Sequence, residues 1–114
     1  MAASTTSLLA LALTSTASLA AYQPVQATGA PSVAGGNVVG FADTLVDAAG
    51  KGFAATALGT SLAVAGAAIA VGSLVEVHST VTQVATKSAG VAIGRSLTAA
   101  AGAGDVIQVL IFPN

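Results

Sequence analysis

Ile69-Ala70-Val71-Gly72-Ser73-Leu74-Val75-Glu76-Val77 repeats the pattern of Leu19-Ala20-Ala21-Tyr22-Gln23-Pro24-Val25-Gln26-Ala27, about fifty residues upstream. The echo continues. Val39-Gly40 returns as Ile93-Gly94, and Gly50-Lys51-Gly52 before Phe53 returns as Gly102-Ala103-Gly104 before Asp105. The chain reads as two diverged copies of one small β unit, about residues 17–62 and 65–114. What the copies keep is glycine and apolar spacing, and not chemically active side chains.

Strand signals fill both copies. Leu74-Val75-Glu76-Val77-His78 alternates, and Val81-Thr82-Gln83-Val84-Ala85 is its expected hairpin partner. Residues 105–112 alternate with both faces largely apolar, which predicts a central strand. Phe53 to Leu58 reads as a strand ended by a turn at Gly59-Thr60-Ser61. Pro24 sets residues 17–27 towards a sheet edge. Residues 43–50 are ambiguous, with Asp43 able to cap one helical turn. The fold class expected is mainly β: a small barrel or sandwich built from two repeats, with an extended N-terminal arm. That arm, residues 1–16, has no evident partner in the second copy. Leu9, Leu11 and Leu13 alternate with alanines there. It is either a frayed tail or a strand that adds to a neighbouring sheet.

Composition narrows the function. The chain has 114 residues, enough for one domain and one core. Ala is the commonest hydrophobic residue and Trp is missing, so the core must be thin. Only 6% of residues are charged, against about 25% in ordinary soluble proteins. Lys51, Lys87 and Arg95 are too few to track a phosphate backbone, which argues against nucleic acid as a partner. A surface this poor in charge suits a protein that lies against another surface. With no cysteine there is no disulfide, thiolate metal site or thiol nucleophile.

The sequence argues against two targeting readings. Residues 1–50 contain no Lys or Arg, so a signal peptide would lack its basic start. Residues 52–75 carry no charge but are rich in Ala, Gly, Thr and Ser, which insert poorly, so no membrane span is expected.

Residues able to carry chemistry are few. His78 is the lone histidine, and Glu76 shares its face, but two ligands make no metal site. No serine lies in a Gly-x-Ser-x-Gly elbow. Gly50-Lys51-Gly52 lacks both the earlier glycine, replaced by Leu45, and the Ser or Thr after lysine that a phosphate loop needs. Asp43 and Asp47 read as two solvated acids. The chain is expected to be no enzyme, with no cofactor and no metal.

Three phrases carry a resemblance: Leu19-Ala20-Ala21-Tyr22-Gln23-Pro24-Val25, then Val64-Ala65-Gly66-Ala67-Ala68-Ile69-Ala70-Val71-Gly72-Ser73-Leu74-Val75, then Gly90-Val91-Ala92-Ile93-Gly94-Arg95-Ser96-Leu97 with the glycine-rich run before Asp105. In order and spacing, over residues 17–114, they resemble the small Ala/Gly-rich capsid decoration, or cement, proteins of tailed bacteriophages. Ser73 stands where that family often has an acid, and Val81-Thr82-Gln83 lacks its usual Asp-Gly turn. The resemblance implies a virion structural protein on the outer capsid surface, bound to the major capsid protein and stabilising the head by bridging capsomers. It implies self-association, as a homotrimer or another oligomer, and a shell-gripping arm. The residues placed in that arm are Leu8, Leu9, Leu11 and Leu13. The alternative is another virion shell or tail subunit, or an exported surface-layer or pilus-like protein with a cleaved N-terminus.

Overall fold

The computed structural model describes residues 5–114. Eight strands form one antiparallel sheet that curls into a half-barrel, with no helix among the described residues. They are β1 (Thr6–Thr14), β2 (Pro24–Val25), β3 (Gly40–Ala42), β4 (Gly52–Val64), β5 (Leu74–Val77), β6 (Val84–Thr86), β7 (Gly94–Ser96) and β8 (Val106–Ile111). Their order is β2-β3-β4-β8-β7-β5-β6, with β1 standing off this path on β4. The mainly β fold expected from the sequence is the fold observed. β8 is central, between β4 and β7, and β5 pairs with β6 as a hairpin.

The two copies are visible bond by bond. Leu19 and Val46 exchange backbone N–H···O bonds of 2.7 and 2.9 Å, and Ile69 and Ala100 do the same at 3.0 and 2.9 Å. Tyr22 N–H donates to Ala42 O at 2.8 Å, as Gly72 N–H does to Ser96 O at 2.8 Å. The glycine echo has a steric cause. A Cβ on Gly40 would lie 2.5 Å from Thr56 O, and one on Gly94 would lie 2.5 Å from Leu110 O. In both copies a neighbouring strand crosses too close for a side chain.

The copies do not begin where the sequence suggests. Leu13 opposes Phe53 and Thr14 opposes Gly52 across β1 and β4. In the same way Ala63 opposes Ile107 and Val64 opposes Val106 across β4 and β8. β1 is therefore the counterpart of the second half of β4, and the first half of β4 is the counterpart of β8. The arm expected at residues 1–16 is, over Thr6–Thr14, the first strand of copy one; residues 1–4 of that arm lie outside the described residues. The turn expected at Gly59-Thr60-Ser61 does not form, because β4 runs on through it and serves both copies. The helical turn allowed at residues 43–50 is instead a bend held by the Leu19–Val46 bridge. Since equivalent strands run antiparallel, the copies are related by roughly a half-turn.

Each copy keeps its own core. Leu19, Val25, Ala42, Val46, Phe53 and Ala55 form one, with Leu13 packed against it. Ile69, Val75, Ala100, Ile107 and Val109 occupy the equivalent places in the other, joined by Ala63, Val77, Val84, Ile93 and Phe41. The burial phase along β4 changes midway. Phe53 and Ala55 are buried, then Thr56, then Ser61 and Ala63. The register shifts between Ser7 and Leu9 and between Leu9 and Ala10 account for it. A bulge reverses which side successive residues face. β4 thus serves one core on each of its faces.

Candidate interaction surface

Position along β1 decides where its leucines go. Leu13 turns inward onto the Phe53 core, and Leu11, opposite Ala55, is half-buried. Leu8 sits in the irregular segment with 72% of its surface exposed, and Leu9 opposes Leu58, each nearly half exposed. Of the four leucines expected to grip a partner, two are therefore presented outward and two contribute to the chain's own packing.

The outward pair belongs to a larger face. From Leu58, alternation along β4 carries Thr60, Leu62 and Val64 to the same side. These oppose Leu110, Gln108 and Val106 of β8. Leu110 and Val106 are exposed, at 39% and 49%. Gln108 Nε2–H donates to Thr60 Oγ1 at 3.2 Å, and Thr6 N–H donates to the same oxygen at 3.0 Å, which ties the three strands together in the middle of the face. β1, β4 and β8 hold no charged residue. Charge enters at the margin with Arg95 of β7, opposite Leu110, whose guanidinium donates to Gly72 O at 2.6 Å. Single exposed apolar residues are ordinary, whereas a contiguous uncharged apolar face marks contact with another surface.

The residues considered for chemistry lie elsewhere and hold backbone. The Glu76 carboxylate accepts the Ser88 N–H and, at 3.4 Å, the Gly90 N–H, fixing the loop after β6. His78 Nδ1 accepts the Thr80 N–H at 3.0 Å, and its ring lies against Gly66. Asp43 accepts the Thr56 hydroxyl at 2.6 Å, while Asp47 pairs with Lys51 at 2.7 Å in the open. No group of three or more His, Asp or Glu side chains gathers among the described residues. Among the described residues no helix is long and apolar enough to cross a membrane.

One comparison with solved structures reports on the whole arrangement. The chain is similar to the N base of the head fiber gp8.5 of bacteriophage phi29, with a TM-score of 0.71 and 16% sequence identity, covering 91% of this chain and 93% of that one. At that identity the likeness is one of fold. No protein-family model and no curated protein matches the chain.

Proposed function

We propose that this chain is a structural protein of a phage virion, carried on the outer surface of the icosahedral head, where it binds the major capsid protein and bridges neighbouring capsomers. The observation that carries the reading is the near-complete overlap in fold with a phage head-fiber base. The uncharged face around Leu8, Leu58 and Leu110 supports it as the surface turned to the shell. On this reading the chain works by binding alone, without catalysis or a cofactor.

The energetics suit a clamp. A stable interface buries about 1,600 Å² in total. A domain of 36 × 26 × 23 Å offers part of that on one face, so a single copy binds weakly. Copies arrayed on a symmetric shell gain by avidity. A protein that binds the assembled shell and not its free subunits stabilises the shell by linkage.

Leu58→Glu tests the face. The residue is exposed, so the fold tolerates the change, while a buried carboxylate at the contact would lower shell occupancy by at least about tenfold, or 1.4 kcal/mol. Co-sedimentation with shells from the phage that encodes the chain measures this. Wild-type occupancy should hardly change with added salt, because the face has no charge to screen. Unchanged occupancy for folded Leu58→Glu removes this face from the contact.

A further inference from the structure

We infer that the free edge of β1 pairs with the β1 edge of a second copy, joining two half-barrels about a two-fold axis into one sheet. This goes beyond the shell-binding reading and does not depend on it.

Asp43 N–H donates to Ala54 O at 3.0 Å, so the polar groups of Ala54 face β3. Ala12 opposes Ala54 across β1 and β4 and therefore turns its own N–H and C=O away from β4. Ala10, opposite Thr56, is placed in the same way, because Thr56 faces β3 through Phe41. Among the described residues no strand pairs with that side of β1. The edge is closed at one end only, where Gly29 packs on the Thr14 carbonyl.

The two terminal strands of the sheet are guarded and this edge is not. β2 has two residues, one of them Pro24, and β6 has three and runs into Lys87. Short length, proline and lysine are the usual protections of an exposed edge. β1 has nine residues, no proline and no charge, and it carries exposed Leu8 and Leu9. The bulge at Ser7 to Ala10 protects only its first part, leaving the regular stretch from Ala10.

The occupant must be extended, uncharged, free of proline and open on one edge. β1 of a second copy meets each requirement. Two-fold symmetry brings it in antiparallel, and no like charges meet, since β1, β4 and β8 have none. Centred on Leu11, the register lets Ala10 exchange both backbone bonds with Ala12 of the second copy. Alanine side chains leave the edge approachable.

The test uses the full chain in analytical ultracentrifugation over a concentration series, with hydrogen exchange on the same samples. Wild type should sediment as a dimer or an even multiple of it, and the Ala10 and Ala12 amides should exchange at least about tenfold slower in the dimer than in the monomer. Ala12→Pro removes an N–H that the chain's own sheet does not use, so it should leave circular dichroism unchanged and yield monomer. If that variant unfolds, Ala10→Lys gives the same reading through charge at the edge. A wild type that stays monomeric, an odd-numbered assembly with fast-exchanging Ala10 and Ala12 amides, or folded variants that assemble like wild type each overturn the inference.

Discussion

Phe41→Ala is expected to destabilise the protein by about 3–5 kcal/mol, the range for emptying a buried phenylalanine site. Phe41 is the largest side chain that is fully buried. It belongs to β3, in the first copy, yet it packs in the core of the second, beside residues such as Ala63 and Ile107. Its ring replaces what the second copy has at the equivalent place, the exposed Arg95. The two copies are therefore pinned together by one residue that breaks their symmetry. In a core otherwise built from Ala, Val and Ile, the side chains are short or stiff and refill the space poorly. Urea titration followed by far-UV circular dichroism should show a single transition in wild type, since β4 and Phe41 couple both cores, and a midpoint shifted down by the full cost in the variant. Two separate transitions in wild type, or a cost below about 1 kcal/mol in the variant, contradicts the coupling.

Gly59→Ala should cost about 2–4 kcal/mol. Gly59 holds φ at +103°, in the region L side chains avoid, and a Cβ there would run into the Thr6 carbonyl oxygen and crowd the Leu8 N–H. Both groups belong to β1, so the clash falls on the bulge that turns β4 from one core to the other. Gly72→Ala is the control. Its φ of +84° is equally left-handed, but nothing lies within 4 Å of its added Cβ. Only backbone strain remains there, about 1 kcal/mol. The fold itself shows that this strain is tolerated, since Tyr22 occupies the equivalent position at φ +64°. Thermal unfolding of the two variants side by side separates clash from strain. Equal losses would mean that the bulge has no special role.

The duplication was legible in the glycine and apolar echoes because those positions are under the tightest steric demand. Gly40 and Gly94 lie on neighbouring carbonyls, and Leu19 and Ile69 fill equivalent core sites. The true extent of the repeat was harder to see. At the same fifty-residue offset Thr6 matches Thr56 and Leu8 matches Leu58, but in an Ala/Leu alternation two identities carry little weight. Gly59-Thr60-Ser61 looked like a turn because glycine and small polar residues usually make one. Here the glycine instead supplies the left-handed residue of a bulge within a continuous strand. A turn there would divide β4 and set β1 apart as an arm. Leu9, Leu11 and Leu13 do share one side of β1, but Leu11 and Leu13 lie opposite the core residues Ala55 and Phe53, and Leu9 lies beyond them. The outward face of β4 and β8 was not legible at all, because it depends on which register the two strands take.

The central claim, a structural role on a phage head, is tested most directly by quantitative mass spectrometry of gradient-purified particles from the phage that encodes the chain. The chain should be present in intact particles at a fixed ratio to the major capsid protein, equal to a count of symmetry-related shell sites and unchanged by a high-salt wash. Particles that lack the chain, or that lose it in proportion to salt, would contradict it.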